Sequence, residues 1–171
     1  MATHTAAYIF GKAAANAAVK AGHAIRAIPR TFVEKAGEGH RSGATEGDMK
    51  GQQIILNDLS AQFPDALFLG EEDSAHPRAL PKENPVWLFS GGPHFVVDPT
   101  DSTTRYGNYM AGWSVGIGIM KGGEITGSVI YAPADNEGSL VVAETSKGTH
   151  LYEWDEARGR CHFGDVLRRI P

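Results

Sequence analysis

Three groups of carboxylates stand out in this chain: Asp48; Glu71 with Glu72 and Asp73; and Asp98 with Asp101. Each falls where a helix or strand is expected to begin or end, and element ends are where the backbone can aim several side chains at one point. The formal net charge is only −4. Carboxylates gathered at one place would repel one another and their pKa values would rise, unless a hard cation neutralised them. Asp98-Pro99-Thr100-Asp101 meets that requirement. Pro99 fixes its own φ and restrains Asp98, so a tight turn can hold Asp98 and Asp101 on one side with the Thr100 carbonyl between them. Two carboxylates and a carbonyl form an oxygen-only set, which suits Mg²⁺ or Mn²⁺ and disfavours zinc or copper.

Ser102, Thr103 and Thr104 follow directly, small hydroxylated residues suited to the first turn of a short helix through Tyr106. Free N–H groups at such a start attract anions. Cations beside an amide cradle suit a phosphoryl group, with a metal-activated water as nucleophile. The chemistry implied is metal-assisted phosphomonoester hydrolysis.

The elements that must position these residues read as two helices followed by a meander of strands. An alanine-dense stretch from Thr5 to Ile28 predicts a long helix that Pro29 stops. A second helix begins near Thr45, where Thr45-Glu46-Gly47-Asp48 resembles a capping box, and ends at Phe63-Pro64. Strands are expected at Ala66 to Leu69, Val86 to Phe89, Phe95 to Val97, Trp113 to Ile119, Ile125 to Tyr131, Ser139 to Ala143, His150 to Trp154 and Arg160 to Phe163. Ser90 to Pro93 and Lys121 to Glu124 read as turns, and Asp155 to Gly159 as a hairpin turn. The expected class is α+β: two N-terminal helices packed on a mostly antiparallel sheet of about six strands. At 171 residues, one domain with one core is expected, spanning 1–171.

Composition removes several alternatives. Sixteen basic against twenty acidic residues offer no global positive field for a nucleic-acid backbone. No apolar run approaches the roughly 18 residues of a membrane span, so neither a membrane partner nor a signal peptide is expected. The single cysteine, Cys161, allows no internal disulfide and fits a reducing compartment, so a cytoplasmic location is expected.

In order and spacing, Thr45-x-x-Asp48, Gly70-Glu71-Glu72-Asp73 and Val97-Asp98-Pro99-Thr100-Asp101-Ser102-Thr103-Thr104 resemble the amino-terminal half of the inositol monophosphatase family. These are Mg²⁺-dependent, lithium-sensitive phosphatases acting on small phosphorylated substrates. The resemblance implies that Glu71, Asp98, the Thr100 carbonyl and Asp101 are metal ligands. It implies that Asp48 and Thr103 orient and activate the attacking water, and that the amides of Ser102 and Thr103 hold phosphate. The family usually carries Gly where this chain has Ser102. Family members are longer, with a second domain that contributes a further Asp in a Trp-Asp-x-Ala type motif, and that domain is expected to be absent here. Trp154-Asp155-Glu156-Ala157 imitates the motif but lies too close to Asp101 for a domain to intervene.

Several residues fit more than one role. Asp48 is either only a helix cap or also catalytic, and Arg105 either reaches phosphate or is solvated. The segment Phe32 to Gly43 is either a lid or a linker. Gly116 and Gly118 read as close strand packing, because no Gly-x-Gly-x-x-Gly precedes a helix. Seven scattered histidines lack ligand spacing and read as surface or packing residues. Inositol phosphate, a bisphosphonucleotide, histidinol phosphate and a sugar phosphate all fit as substrates. A non-catalytic relative or fragment that binds metal and a phosphorylated ligand is the alternative function. Pairing with a second copy, as a homodimer, is one expectation for the flank that a missing domain would leave open.

Overall fold

The computed structural model describes residues 2–30, 32–33, 44–72, 74–80, 92–133, 138–145, 147–155, 160–161 and 168–170. The first helix, α1, runs Ala2–Arg26. It stops two residues earlier than the sequence suggests, because a residue that precedes proline is pushed out of the helical region. Ala27 and Ile28 instead donate to the carbonyls of Ala24 and Ile25, each at 3.1 Å, as a tightened last turn before Pro29. Ala13, Ala14, Ala15, Ala17, Ala18 and Ala21 are buried, so α1 lies close against its neighbours. Lys12, Asn16, Lys20 and Arg26 line the exposed side.

Two short strands, β1 (Phe32–Val33) and β2 (Ala44–Thr45), pair antiparallel. The expected loop therefore begins as a strand, and the rest of that segment, 34–43, lies outside the described residues. Helix α2 spans Glu46–Gln62, capped at its start by Thr45 and closed by Phe63, whose N–H donates to the Leu59 carbonyl at 2.8 Å.

The main sheet comprises β3 (Leu67–Gly70), β4 (Pro93–Asp101), β5 (Ser114–Lys121), β6 (Glu124–Ala132), β7 (Ser139–Glu144), β8 (Gly148–Asp155) and β10 (Arg168–Ile170), ordered β10-β8-β7-β6-β5-β4-β3. A further short strand, β9 (Arg160–Cys161), pairs with β8 through Trp154↔Cys161 and Asp155↔Arg160, which makes a hairpin of the Trp154-Asp155 segment. The six longer strands, β3 to β8, are those expected; β10 carried no clear alternation. The expected strand at 86–89 lies outside the described residues. Among the described residues the named strands pair antiparallel except β3 with β4, which are parallel.

One face of this sheet meets both helices around Phe68, Phe95, Val97, Val115, Ile117, Ile119, Val129, Tyr131 and Leu140, all buried. Gly116 and Gly118 are on the other face, across from Asp98 and Val96. A Cβ there would meet only ordinary contacts, at 3.8 and 3.6 Å, so crowding does not require glycine and the close-packing reading is corrected. No helix among the described residues is long and apolar enough to cross a membrane.

The short helix α3, Thr103–Gly107, is tied down by Tyr106. Its ring is fully buried and meets Trp113 edge-on at 5.0 Å, while its hydroxyl donates to the Ile25 carbonyl at 2.9 Å. Gly47 of α2 lies directly under that hydroxyl, and a Cβ there would come within 2.7 Å of it. Tyr106 thus joins α1, α2 and α3 at one point. Tyr106→Phe is expected to cost about 1 kcal/mol in chemical denaturation, the usual net worth of one buried hydrogen bond. An unchanged midpoint would show that the hydroxyl does not anchor the junction.

Candidate functional site

The acidic residues converge because of two backbone features. Parallel pairing of β3 with β4 sets Gly70 opposite Val97, so the next residues, Glu71 and Asp98, leave side by side. The Glu71 N–H donates to the Val97 carbonyl at 2.9 Å, extending that pairing by one bond. Beyond Asp98 the register of β4 against β5 slips: Asp98 faces Gly116 but Asp101 faces Ser114. Three steps on one strand thus match two on the other, which is a one-residue bulge. In a regular strand two residues three apart point to opposite faces. The extra residue brings Asp98 and Asp101 back to the same side, and it accommodates Pro99, which has no N–H to give the ladder.

The expected tight turn at Asp98–Asp101 is therefore corrected: these residues belong to β4 itself, as its bulged end. A local Asx-type bond is present within it, the Thr100 N–H donating to Asp98 Oδ1 at 3.1 Å.

Electrostatics register the convergence. The Asp98 carboxyl is pushed up from 3.8 to about 7 by burial first, then by its hydrogen bond to Glu71 and the nearby charges of Glu71 and Asp101, with the Thr100 amide pulling the other way. Glu71 and Asp101 are themselves exposed. Among the described residues no three His, Cys, Asp or Glu side chains close into a cage. The donor set is instead two neighbouring carboxylates, a third nearby and the Thr100 carbonyl. A hard cation that keeps several of its waters would fit such an open set, its charge offsetting the repulsion between the carboxylates. The pair opens onto a hollow of about 400 Å³ lined by Leu69, Gly70, Glu71, Val96, Val97 and Asp98. A larger cleft of about 780 Å³ between α2 and Ser74–His76 contains none of these carboxylates, so we place the site at the smaller one.

Asp48, fully buried at the start of α2, caps the helix with one carboxylate oxygen and meets Thr103 with the other. Its Oδ2 accepts from the Thr45 N–H at 2.7 Å and from the Thr45 hydroxyl, completing the capping box. Its Oδ1 accepts from the Thr103 hydroxyl at 3.1 Å. That hydroxyl also lies 2.9 Å from the Thr100 carbonyl, so one proton has two acceptors and the oxygen's lone pairs are left for another donor.

Ser102 precedes α3 with φ 68° and ψ 47°, the left-handed region that favours glycine. This gives a backbone reason for Gly at that position: serine adopts the conformation only with strain. The Ser102 carbonyl accepts from Arg105 N and Tyr106 N at 2.8 and 3.2 Å, which leaves the amides of Thr103 and Thr104 without acceptors in their own helix. Arg105 turns away, its Nη1 donating to the Ala111 carbonyl at 3.2 Å.

Sequence reasoning missed Gln52. It is buried on α2 four residues after Asp48, hence on the same face, and it holds the backbone of Glu72 from both sides. The spacing from Asp48 was the available signal. Ser60 and His76, 3.3 Å apart, are not a nucleophile pair. His76 Nδ1 accepts from Arg78 N, so Nε2 carries the proton and donates to Ser60.

The raised Asp98 carboxyl has a consequence for stability with a definite sign. Without metal the folded chain keeps this proton up to about pH 7, whereas the unfolded chain releases it near 3.8. The native state binds the extra proton in between, so the stabilisation is full below 3.8 and is lost as pH rises through about 7. In chelator, the melting temperature of the unaltered chain is expected to fall relative to that of Asp98→Asn across this window. A difference independent of pH would mean that Asp98 titrates as an ordinary carboxylate.

Comparison with known proteins places this arrangement in a family. The profile of the inositol monophosphatase family matches residues 8–163. The chain is 34% identical over 128 residues to an inositol monophosphatase of Mesembryanthemum crystallinum, covering 72% of this chain and 43% of the relative. It is 31% identical over 139 residues to inositol monophosphatase 1 of Solanum lycopersicum, covering 81% and 47%. The crystal structure of the extragenic suppressor protein suhB from Bartonella henselae superposes with a TM-score of 0.64 at 29% identity, over 79% of this chain and 48% of that one. The chain thus spans about half the length of the relatives it matches. With its three motifs, its fold and a profile match over most of its length in agreement, the chain belongs to the inositol monophosphatase family.

Proposed function

We propose that this domain carries out Mg²⁺-dependent hydrolysis of a small phosphomonoester, of the inositol-1-phosphate phosphatase type. The observation that carries the reading is the pairing of Glu71 with Asp98 at the exit of the parallel strands, beside the Asp48–Thr103 hydrogen bond. Glu71, Asp98, the Thr100 carbonyl and Asp101 would hold the metal, Mg²⁺ or, in its place, Mn²⁺. When bound, the metal supplies Lewis-acid stabilisation of the phosphoryl oxygens and lowers the pKa of a water.

This chain's own residues do the rest. The Thr103 hydroxyl accepts a hydrogen bond from the attacking water, aims its lone pair at phosphorus and relays charge to Asp48 Oδ1. Asp48 is suited to that task because its other oxygen is fixed by Thr45, so the carboxylate cannot rotate away. The amides of Ser102 and Thr103 face the phosphoryl oxygens. Inhibition by lithium follows from the same reading.

The substrate class stays broad. The relatives include proteins named fructose-1,6-bisphosphatase/inositol-1-monophosphatase and histidinol-phosphatase, so sugar phosphates and histidinol phosphate stand beside inositol phosphate and bisphosphonucleotides. A second reading is favoured by one fact, that the matched relatives extend well beyond the matched half. In that reading the domain binds metal and a phosphorylated ligand, and turnover needs residues outside it.

Phosphate release from inositol 1-phosphate is expected to require Mg²⁺ and to be abolished in Asp98→Asn. Thr103→Ala is expected to lower kcat by about 10² to 10⁴ with little change in KM, the range for a lost proton-transfer group. Equal turnover by these variants would contradict the first reading. Mg²⁺ binding by calorimetry without turnover of any phosphomonoester would select the second.

A further inference from the structure

We propose that Gln52 and Gly70 form a clamp that sets the position of the Glu71 carboxylate and thereby the affinity of the site for its cation. The proposal rests on the reading of Glu71 and Asp98 as metal ligands.

Glu71 is an exposed residue directly after β3, and nothing about a strand end by itself fixes where its side chain points. The backbone on either side of it is nevertheless held. On the N-terminal side its own N–H is bonded to Val97 of β4 at 2.9 Å. On the C-terminal side the Gln52 amide makes two bonds to one residue. Nε2 donates to the Glu72 carbonyl at 2.7 Å, and the Glu72 N–H donates to Oε1 at 3.0 Å. A side-chain amide thereby imitates a neighbouring strand just past the end of β3. Gln52 is only 2% exposed, so both bonds are shielded from competing water.

Gly70 makes room for this contact. A Cβ at that position would lie 2.2 Å from Gln52 Oε1, 2.4 Å from its Cδ and 2.6 Å from its Nε2. Any side chain there expels the whole amide group. The obstacle would be the far end of a flexible side chain and not backbone, so the fold can yield without collapsing while the clamp cannot survive.

The placement on α2 adds the reason for the clamp. Asp48 and Gln52 are one turn apart on one helix face, Asp48 bonded to Thr103 and Gln52 to Glu72. A single rigid turn of helix therefore fixes the distance between the water-activating pair and the cation-binding pair. Gln52 is a positioning residue in this sense: it touches neither substrate nor metal and acts through the backbone of Glu72. Losing such outer partners lowers metal affinity by roughly 10- to 100-fold.

The test is Mg²⁺ binding by calorimetry with the full chain, comparing the unaltered protein, Gln52→Leu, Gly70→Ala and the double variant. Amide hydrogen exchange at Glu72 is followed in the same samples. Both single variants are expected to bind Mg²⁺ at least tenfold more weakly and to lose protection at Glu72 while still unfolding cooperatively. The double variant should be no weaker than the poorer single, since both changes remove one clamp. Unchanged Mg²⁺ affinity in Gly70→Ala despite an exchanging Glu72 amide would overturn the proposal. So would a Glu72 amide still protected in Gln52→Leu. No Mg²⁺ binding by the unaltered chain, with Glu72 protected, would instead remove the assignment of the site and the proposal with it.

Discussion

The candidate site depends on the parallel pairing of β3 with β4 in a sheet whose other described strand pairs are antiparallel. Antiparallel neighbours would send the ends of β3 and β4 to opposite edges, and the acidic residues that follow them would be separated by the strand length. Parallel pairing in the register Gly70↔Val97 delivers Glu71 and Asp98 to the same edge, one residue past the last bond. The bulge in β4 then recruits Asp101 by reversing one step of the side-chain alternation. The electrostatic cost is visible in the Asp98 carboxyl, which is held protonated far above the usual range by burial and by its acidic neighbours. Folding therefore assembles a cluster that is unfavourable for the metal-free protein, a pattern typical of sites whose strain is relieved by a ligand.

Helix α2 supplies the other half of the geometry. Its capping box would stabilise the helix with or without a function, and Asp48 satisfies it with one oxygen only. The remaining oxygen turns the cap into the base of a hydrogen-bonded chain that runs through Thr103 to the Thr100 carbonyl, from one end of the bulge to the start of α3. The same helix face carries Gln52, and the small residues Gly47 and Gly51 let it sit against Tyr106, Ile25 and Pro99. The helix cap and the candidate site thus share residues, so the start of α2 and the end of β4 cannot drift independently.

Much of this was legible in the sequence, for reasons particular to each part. The alanine stripe of α1, the Thr45–Asp48 cap and the alternation of β5 to β7 are local signals that tertiary contacts reinforce. The acidic motifs were legible because their spacing from strand ends is short. The parallel sense of β3 and β4 was not, since which strands become neighbours, and in which direction, is a long-range property that no local alternation records. Nor was the bulge: Asp-Pro-Thr-Asp reads as a turn whether the chain reverses or merely shifts register. Gln52 was missed because a buried amide whose partners are backbone atoms leaves no mark in composition. Its contact is with Glu72, twenty residues away, and only the fold brings them together. The strain at Ser102 became physical only with its φ of 68°, although glycine at that position in the family hinted at it.

The central claim is that the exit of β3 and the bulge of β4 make one cation site. The most direct measurement is a crystal of the chain grown with Mn²⁺ in place of Mg²⁺, with the metal located by its anomalous scattering. The expected result is a peak beside the carboxylates of Glu71 and Asp98, with the Thr100 carbonyl or Asp101 also within reach of the metal. A well-ordered structure in which Glu71 and Asp98 stay hydrogen-bonded to each other, with Mn²⁺ bound elsewhere or not at all, would contradict it.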